Sequence, residues 1–262
     1  MTQHMRLSII IPAFNEEARI GRMLDAYLPF FSRLYDREFE FIVVINGSTD
    51  RTEEIVAGYA KQHPQIQTIV EPRSVGKGGA IILGFSRAQG EMIGFVDADG
   101  STPPEAFQDL VDKIGNAGAI IGSRWAKGAD VRPRQPLSRR LASRVFNLLV
   151  VPTLLGYSFT DTQCGAKLMT REAVNRVLPI LTAMGITHWA FDVDLLFKLR
   201  RAGFEVKETP SVWHDVSGSR VKVVRASAEM IIALTRLRLL YSPFRCVVTL
   251  YDRTLGRIIH PG

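Results

Sequence analysis

Met92-Ile93-Gly94-Phe95-Val96-Asp97-Ala98-Asp99-Gly100-Ser101 decides how the chain is read. Its first five residues are mostly apolar and predict a buried strand, stopped by Gly100 and the Pro103-Pro104 pair. Asp97 and Asp99 fall at its C-terminal end. In extended chain, residues two apart point the same way. Both carboxylates should then leave the sheet on one side, where an open α/β sheet has its ligand crevice. Side by side and unpaired they would repel. A hard divalent cation carrying substrate phosphates would relieve that. An acidic turn after a strand is the plainer alternative, so the rest of the chain must decide.

Upstream, strands are predicted over residues 7–11, 39–45 and 66–70, with Pro12 closing the first. Helices should run from Asn15, its expected N-cap, to about residue 34, and from Thr49 or Asp50 to about 61. A third should run from Gly76-Lys77-Gly78-Gly79 to 88. Downstream, Pro103 opens a helix to about 114, and 119–122 is a fifth strand. The alternation predicts an α/β fold with a mostly parallel, Rossmann-like sheet flanked by helices and right-handed crossovers.

The second half is less regular. Helices are expected over 137–150, 170–181, 191–201 and 226–240, and a strand over 204–206. In the first of these helices Arg139, Arg140 and Arg144 share one arc, opposite Leu137, Leu141, Val145, Leu148 and Leu149. Gly218 marks the expected boundary between a catalytic domain, 1–222, and a basic, amphipathic helical tail, 223–262.

The 262 residues are 46% hydrophobic and 23% charged, enough for a real core. No apolar run is long enough to span a membrane, and the N-terminus does not read as a signal peptide. Cys164 and Cys246 form no disulfide framework and fit a reducing compartment. Between 124 and 144 stand Arg124, Lys127, Arg132, Arg134, Arg139, Arg140 and Arg144, against Asp130 alone. That excess accounts for nearly all of the net charge of +7, and a local basic field implies an anionic partner.

Four loops should gather at the crevice: 12–16, 45–50, 76–79 and 97–101. Glu16 and Asn46 can hydrogen-bond a base edge, and Phe14 or Pro12 can pack on its face. The glycines at 76, 78 and 79 let backbone N–H groups approach phosphate at a helix N-terminus. Each loop alone could be turn chemistry; together they suggest a nucleoside diphosphate.

In order, Ile10-Ile-Pro-Ala-Phe-Asn-Glu16, Asn46-Gly-Ser-Thr-Asp50, Gly76-Lys-Gly-Gly-Ala80 and Asp97-Ala-Asp-Gly100 resemble the signature of inverting family-2 glycosyltransferases of the GT-A fold. Gly122-Ser-Arg124, Asp161-Thr-Gln-Cys-Gly165, Trp189-Ala-Phe-Asp-Val-Asp194 and Gly218-Ser-Arg220 resemble a narrower branch, the dolichyl-phosphate β-glucosyltransferases and related polyprenyl-phosphate sugar synthases. The resemblance covers about residues 6–240. It implies metal-dependent, inverting transfer of a sugar, glucose or a relative, from a UDP-sugar to dolichyl or polyprenyl phosphate. It also implies Pro12, Phe14, Glu16, Asn46, Lys77, Asp97, Ala98 and Asp99 as nucleotide-sugar contacts. Asp99, with Asp97 beside it, would ligate Mg²⁺ or Mn²⁺. One departure is that Asn46 stands where the family usually has an Asp bonding the uracil imide; its amide oxygen can accept that bond without a charge.

For the acceptor the resemblance points to Arg124 and Arg139, with Arg144, His214 and Arg220 around donor and acceptor phosphates. Arginine suits phosphate through paired N–H donors. Asp192 and Asp194 stand where the base usually sits in this fold. They read as carboxylates that orient neighbours, with a base role open for Asp192. A phosphate acceptor has a second pKa near ~6 and is largely dianionic at neutral pH, so positioning and charge neutralisation can suffice. Cys164 reads as packing.

A polyprenyl phosphate acceptor requires contact with a membrane surface. The helices over 137–150 and 225–240 can lie in the interface, with arginines at anionic head groups, which implies peripheral attachment at the cytosolic face. Alternatively, their apolar faces cover the sheet or contact another subunit in a homo-oligomer. A rival reading, a family-2 enzyme acting on a glycan or small-molecule hydroxyl, needs a base such as Asp192. Nucleic acid is disfavoured as a partner, because no aromatic residue interleaves the basic run between Lys127 and Arg144.

Overall fold

The computed structural model describes residues 4–132, 141, 143–184, 190–214, 223–244 and 246. Along the chain come β1 (Leu7–Ala13), α1 (Ile20–Tyr35), β2 (Phe39–Asn46), α2 (Thr52–Gln62), β3 (Ile66–Glu71), α3 (Gly76–Arg87), β4 (Met92–Phe95), α4 (Pro104–Lys113), β5 (Ala119–Ser123) and β6 (Asp130–Arg132). A π-helical turn (Phe146–Val150) leads into α5 (Val151–Leu155). Then follow β7 (Lys167–Thr170), α6 (Arg171–Met184), α7 (Phe191–Arg201), β8 (Val206–Pro210), β9 (Val212–His214) and α8 (Val223–Leu240).

Seven strands form one sheet in the order β3-β2-β1-β4-β7-β5-β8. The pairings among β3, β2, β1 and β4 are parallel, while β7 runs antiparallel to both β4 and β5. A separate pair, β6 with β9, is parallel. The expected mostly parallel α/β sheet is therefore present. Alternate residues of the strands enter two different cores. Leu7, Ile9 and Ile11 pack with Leu24, Tyr27 and Phe31 of α1 on one face. Ile10, Ile42, Val44 and Phe95 pack with Ile81, Phe85, Phe191 and Leu195 on the other. Each such side chain contributes roughly 1.5–3 kcal/mol by leaving water.

Several boundaries differ from expectation. The first strand does not stop at Pro12 but continues to Ala13. The Ile10 carbonyl accepts from Val96 on the β4 side, and β4 pairs with β1 only as far as Phe95 opposite Ile10. Two residues on, Pro12 turns its missing N–H toward a place with no strand to serve. The first helix begins at Ile20, not Asn15. Asn15 has φ 54°, and its Oδ1 accepts the Thr49 amide at 2.8 Å. It therefore ties two loops together instead of capping a helix.

Strands β6, β7 and β9 were not expected. Their runs are three or four residues long, and β7 opens with a lysine. Thr170, expected to open a helix, closes β7 and caps α6 by accepting the Ala173 amide. The strand expected at 204–206 lies over Val206–Pro210.

Of the helix expected over 137–150, residues 137–140 and 142 lie outside the described residues, and Phe146–Val150 is wound as a π-helix. Phe146, Val151 and Leu155 pack with Val193 and Phe197 of α7 and with Leu234 and Leu237 of α8. One face of α8 thus covers its own chain. Leu141, Val145 and Leu148 remain 66%, 43% and 56% exposed, an apolar strip facing outward.

Candidate active site

The loops leaving β1, β2 and β4 and the approach to α3 meet at one edge of the sheet. Gly47 has φ +66°, and a Cβ there would lie 2.8 Å from the Ser74 amide nitrogen. The exit of β2 thus rests against the approach to α3. Buried Asn46 accepts the Val75 amide on Oδ1 at 2.7 Å. This oxygen therefore braces the loop before α3, a bond worth about 1 kcal/mol, and the expected bond from a base would have to use its second lone pair. Glu16 is also engaged, with Arg19 Nε and Nη2 at 2.6 and 2.8 Å. Burial raises its pKa, and Arg19 opposes the rise. Phe14 is 51% exposed beside half-buried Pro12, which leaves an aromatic face for a base to stack on.

The acid pair is arranged differently from the sequence expectation. β4 ends at Phe95, so Asp97 and Asp99 lie in the turn beyond it and not on a continuing strand. Asp97 is not unpaired: Lys77 Nζ stands 2.8 Å from its Oδ1. Burial nevertheless pushes the Asp97 carboxyl up, and Asp99 nearby adds to the rise. Asp99 enters no ion pair among the described residues; its Oδ1 accepts the Ser101 amide at 2.9 Å. Ala98 is buried between them. Gly165 lies directly against Asp97, where a Cβ would come 2.1 Å from Oδ2. The Asp161–Gly165 loop is thereby part of the crevice.

Lys77 continues the charge chain inward. It stands 3.4 Å from Asp192 Oδ2, whose Oδ1 receives Lys167 Nζ at 2.6 Å. Burial works against the Asp192 carboxylate, yet Lys167 and Lys77 outweigh it and hold its pKa below the usual range. A depressed, doubly paired carboxylate is a weak base, so this geometry favours the orienting role for Asp192. Lys77 is likewise held charged by Asp192 and Asp97 against its burial. Gly78 explains the contact. A Cβ there would lie 2.5 Å from the Phe191 ring, so the glycine lets α7 approach α3 closely. Gly78 thus has a packing role, and the turn into α3 uses Gly76, at φ +75°.

Arg124 sits across the crevice, near enough for Asp97 to act on its charge. Acid pair and arginine therefore share one side of the molecule. Arg124 was expected to grip phosphate, but its Nε and Nη2 bind Asp161 at 2.7 and 2.9 Å. Its plane lies over Trp213, 5.1 Å from the ring centre. The side-on fork is spent, and only the end-on N–H groups remain for a ligand. Arg144 lies over Trp125 at 5.1 Å and is exposed. His214 lines a cavity of about 290 Å³ with Asp99, Arg19, Tyr27, Thr102 and Pro103. Its amide donates to the Ser101 carbonyl at 2.8 Å, tethering β9 to the acidic turn. Cys164 is fully buried, and burial pushes its thiol up, as packing requires. Arg139 and Arg220 lie outside the described residues.

Sequence reasoning missed Lys167, Arg19 and Trp213. Lys167 carried a signal: a lone charge in the apolar run Ala166-Lys-Leu-Met169 needs a buried partner.

The donor set fits a phosphate-bridged divalent ion. Among the described residues no three His, Cys, Asp or Glu side chains cluster as an all-protein cage. Mg²⁺ at nucleotide sites uses one or two carboxylates and leaves the remaining positions to water and phosphate. Asp99, with Asp97 behind it, meets that requirement.

Comparison with known proteins gives the chain its family. The chain is 37% identical over 228 residues to a dolichyl-phosphate beta-glucosyltransferase of Trichomonas vaginalis, covering 82% of this chain and 66% of the relative. It is 32% identical over 247 residues to a dolichyl-phosphate beta-glucosyltransferase of Dictyostelium discoideum, covering 90% and 74%. Its fold matches glucosyl-3-phosphoglycerate synthase of Mycobacterium tuberculosis, crystallised with Mn²⁺, UDP and phosphoglyceric acid. That match has TM-score 0.63 at 18% identity, over 89% of this chain and 78% of the other. The Glycosyl transferase family 2 model matches residues 8–178, from β1 into α6, and takes in the acidic turn, Lys77 and Arg124; the chain belongs to that family and is a glycosyltransferase of GT-A fold.

Proposed function

We propose that the chain transfers glucose from UDP-glucose, with inversion, to the terminal phosphate of dolichol or a related polyprenol. The observation that carries the acceptor class is the Asp192 carboxylate, held between Lys167 at 2.6 Å and Lys77 at 3.4 Å. A hydroxyl acceptor needs a base during attack, whereas a phosphate oxygen is already ionised at neutral pH. The names of the 30–37% identical relatives support donor sugar and acceptor alike.

In this reading Phe14 stacks on the base, and Asn46 acts indirectly by fixing the loop before α3. Asp99, with Asp97, holds Mg²⁺ or Mn²⁺, which when bound neutralises the leaving diphosphate. Lys77 adds a second positive charge on the same side. Arg124, oriented by Asp161, offers its end-on N–H groups to the acceptor phosphate, together with Arg144, Arg139 and Arg220. His214 borders the acidic turn where donor and acceptor meet. The exposed strip Leu141, Val145 and Leu148, beside Arg144, rests on the cytosolic surface of a membrane and brings the lipid phosphate to the crevice.

Incubation with radiolabelled UDP-glucose, UDP-galactose, UDP-N-acetylglucosamine or GDP-mannose and a polyprenyl phosphate, followed by organic extraction, tests this. UDP-glucose label is expected in the organic phase. Label that stays aqueous with every donor would overturn the acceptor assignment.

A further inference from the structure

Lys167 opens β7, is 1% exposed, and lies between β4 and β5. Its Nζ donates to Asp192 Oδ1 and to the Cys164 carbonyl, both at 2.6 Å, and stands 5.3 Å from the centre of the Phe95 ring. The Lys77 ammonium lies 5.5 Å from the same ring, nearer the acidic turn. The row therefore reads Lys167, Asp192, Lys77, Asp97, with alternating sign. Its links are unequal: 2.6 Å, then 3.4 Å, then 2.8 Å. Asp192 is satisfied mainly from behind and holds Lys77 loosely, while Lys77 sits closer to Asp97. A buried lysine is costly to desolvate, and apolar residues often serve such strands as well. The charge at this position therefore calls for a task beyond packing. Without it Asp192 would have Lys77 as its one cation among the described residues and would draw that ammonium inward.

We propose that Lys167 is a positioning residue for sugar transfer: by neutralising Asp192 from behind, it leaves Lys77 directed at Asp97, on the side from which the donor's diphosphate departs. The inference deepens the donor reading above and rests on it. Among the described residues the charged groups around Asp192 are Lys167 from β7, Lys77 from α3 and, beyond Lys77, Asp97; on α7 itself Asp194 pairs with Lys198.

The test follows Asp192 by carboxyl ¹³C NMR, and kcat against pH, in the full chain. The variants are Lys167→Met, Lys167→Gln and Lys167→Met combined with Asp192→Asn. In the wild type the Asp192 carboxyl should titrate below the usual carboxylate range, held there by Lys167 and Lys77. In both single variants it should titrate at least about one pH unit higher. Their kcat relative to wild type should fall as pH rises through that titration, because ionised Asp192 then captures Lys77. The double variant should lose this dependence. An Asp192 that titrates as in the wild type, or a relative kcat flat with pH in a folded single variant, overturns the proposal. Single variants that fold only once Asp192→Asn is added also overturn it, since Lys167 would then serve folding alone. The carboxyl titration needs no substrate, so a wrong donor or acceptor shows as an inactive wild type, while failed positioning shows in the titration.

Discussion

Gly78 and Phe191 touch so closely that a single added methyl group would lie 2.5 Å from the ring. This contact presses α7 onto α3 and brings Asp192, the next residue, within reach of Lys77, the residue before Gly78. A glycine and an aromatic ring far apart in sequence thus assemble the charge row of the site. Gly78→Ala should cost about 1–3 kcal/mol through overpacking. It should also lower kcat, because α7 must shift and carry Asp192 with it. Urea unfolding and a transfer assay on the same preparation check both. Unchanged stability and rate would show that the helices separate without consequence.

Asp161 is fully buried, Arg124 is largely so with a side chain 10% exposed, and the two are joined through two parallel hydrogen bonds. Breaking such a pair leaves one charge stranded, at about 3–5 kcal/mol. Asp161→Ala should therefore destabilise the fold by that order and release Arg124 from its fixed orientation. Arg124→Lys keeps the charge but not the fork, so it should retain part of the stability and lose acceptor affinity. Denaturant curves and the KM for the lipid phosphate distinguish the two effects.

The frame was legible because its signals were strong. Strands β1 and β2 are mostly apolar, interrupted by Ser8, Glu40 and Asn46, and such rows of Ile, Val and Phe are what burial on both faces requires. The acidic turn, Lys77 and Arg124 do converge on one crevice. Lost to sequence was the pairing of polar groups with one another. Asn46, Glu16, Asp97 and Arg124 were each assigned to an absent ligand, yet each has a partner within the chain. Arg19 is only three residues from Glu16, but the other partners come from distant segments brought together by the sheet order, and β7, which carries Lys167, is too short for periodicity to show.

Asp192 also makes stability depend on pH. Its carboxyl is held below the usual range in the folded chain, despite burial, by Lys167 and Lys77. The unfolded chain therefore binds this proton first. The contribution is fully present above about pH 4, near the unfolded carboxyl pKa, and is lost as pH falls through the folded value. The stability gap between wild type and Asp192→Asn should be widest near neutrality and shrink below pH ~4. A gap constant from pH ~6 to pH ~2.5 in urea titrations would contradict the pairing.

Asp99 stands apart from Asp97 in having no cationic partner among the described residues, which leaves its charge available for the proposed metal ion. Asp99→Ala should fold with a near-normal melting temperature and lose transfer activity by at least about a hundredfold. EDTA should abolish wild-type activity, and added Mn²⁺ or Mg²⁺ should restore it. Asp97→Asn should be the milder lesion, because Lys77 already balances much of that charge. Full turnover with EDTA present would remove the metal from the reading.

Leu141, Val145 and Leu148 recur at helical spacing and stay exposed, while Phe146 and Val151 from the same segment fill the core. The segment is thus two-sided: one side is satisfied by α7 and α8, the other by nothing among the described residues. Burying the remaining exposed area of the three side chains in a lipid interface would gain roughly 1 kcal/mol for each, and Arg144 beside them adds about 1 kcal/mol on an anionic surface. The wild type should therefore float with vesicles containing anionic lipid and float less at high salt. Leu141→Glu combined with Leu148→Glu should abolish flotation while leaving the melting temperature intact, because neither side chain contributes to the core. Activity of that variant should fall on vesicle-embedded polyprenyl phosphate and persist on a short, detergent-dispersed analogue. Equal flotation of both proteins would send the strip back to contact with a second copy of the chain.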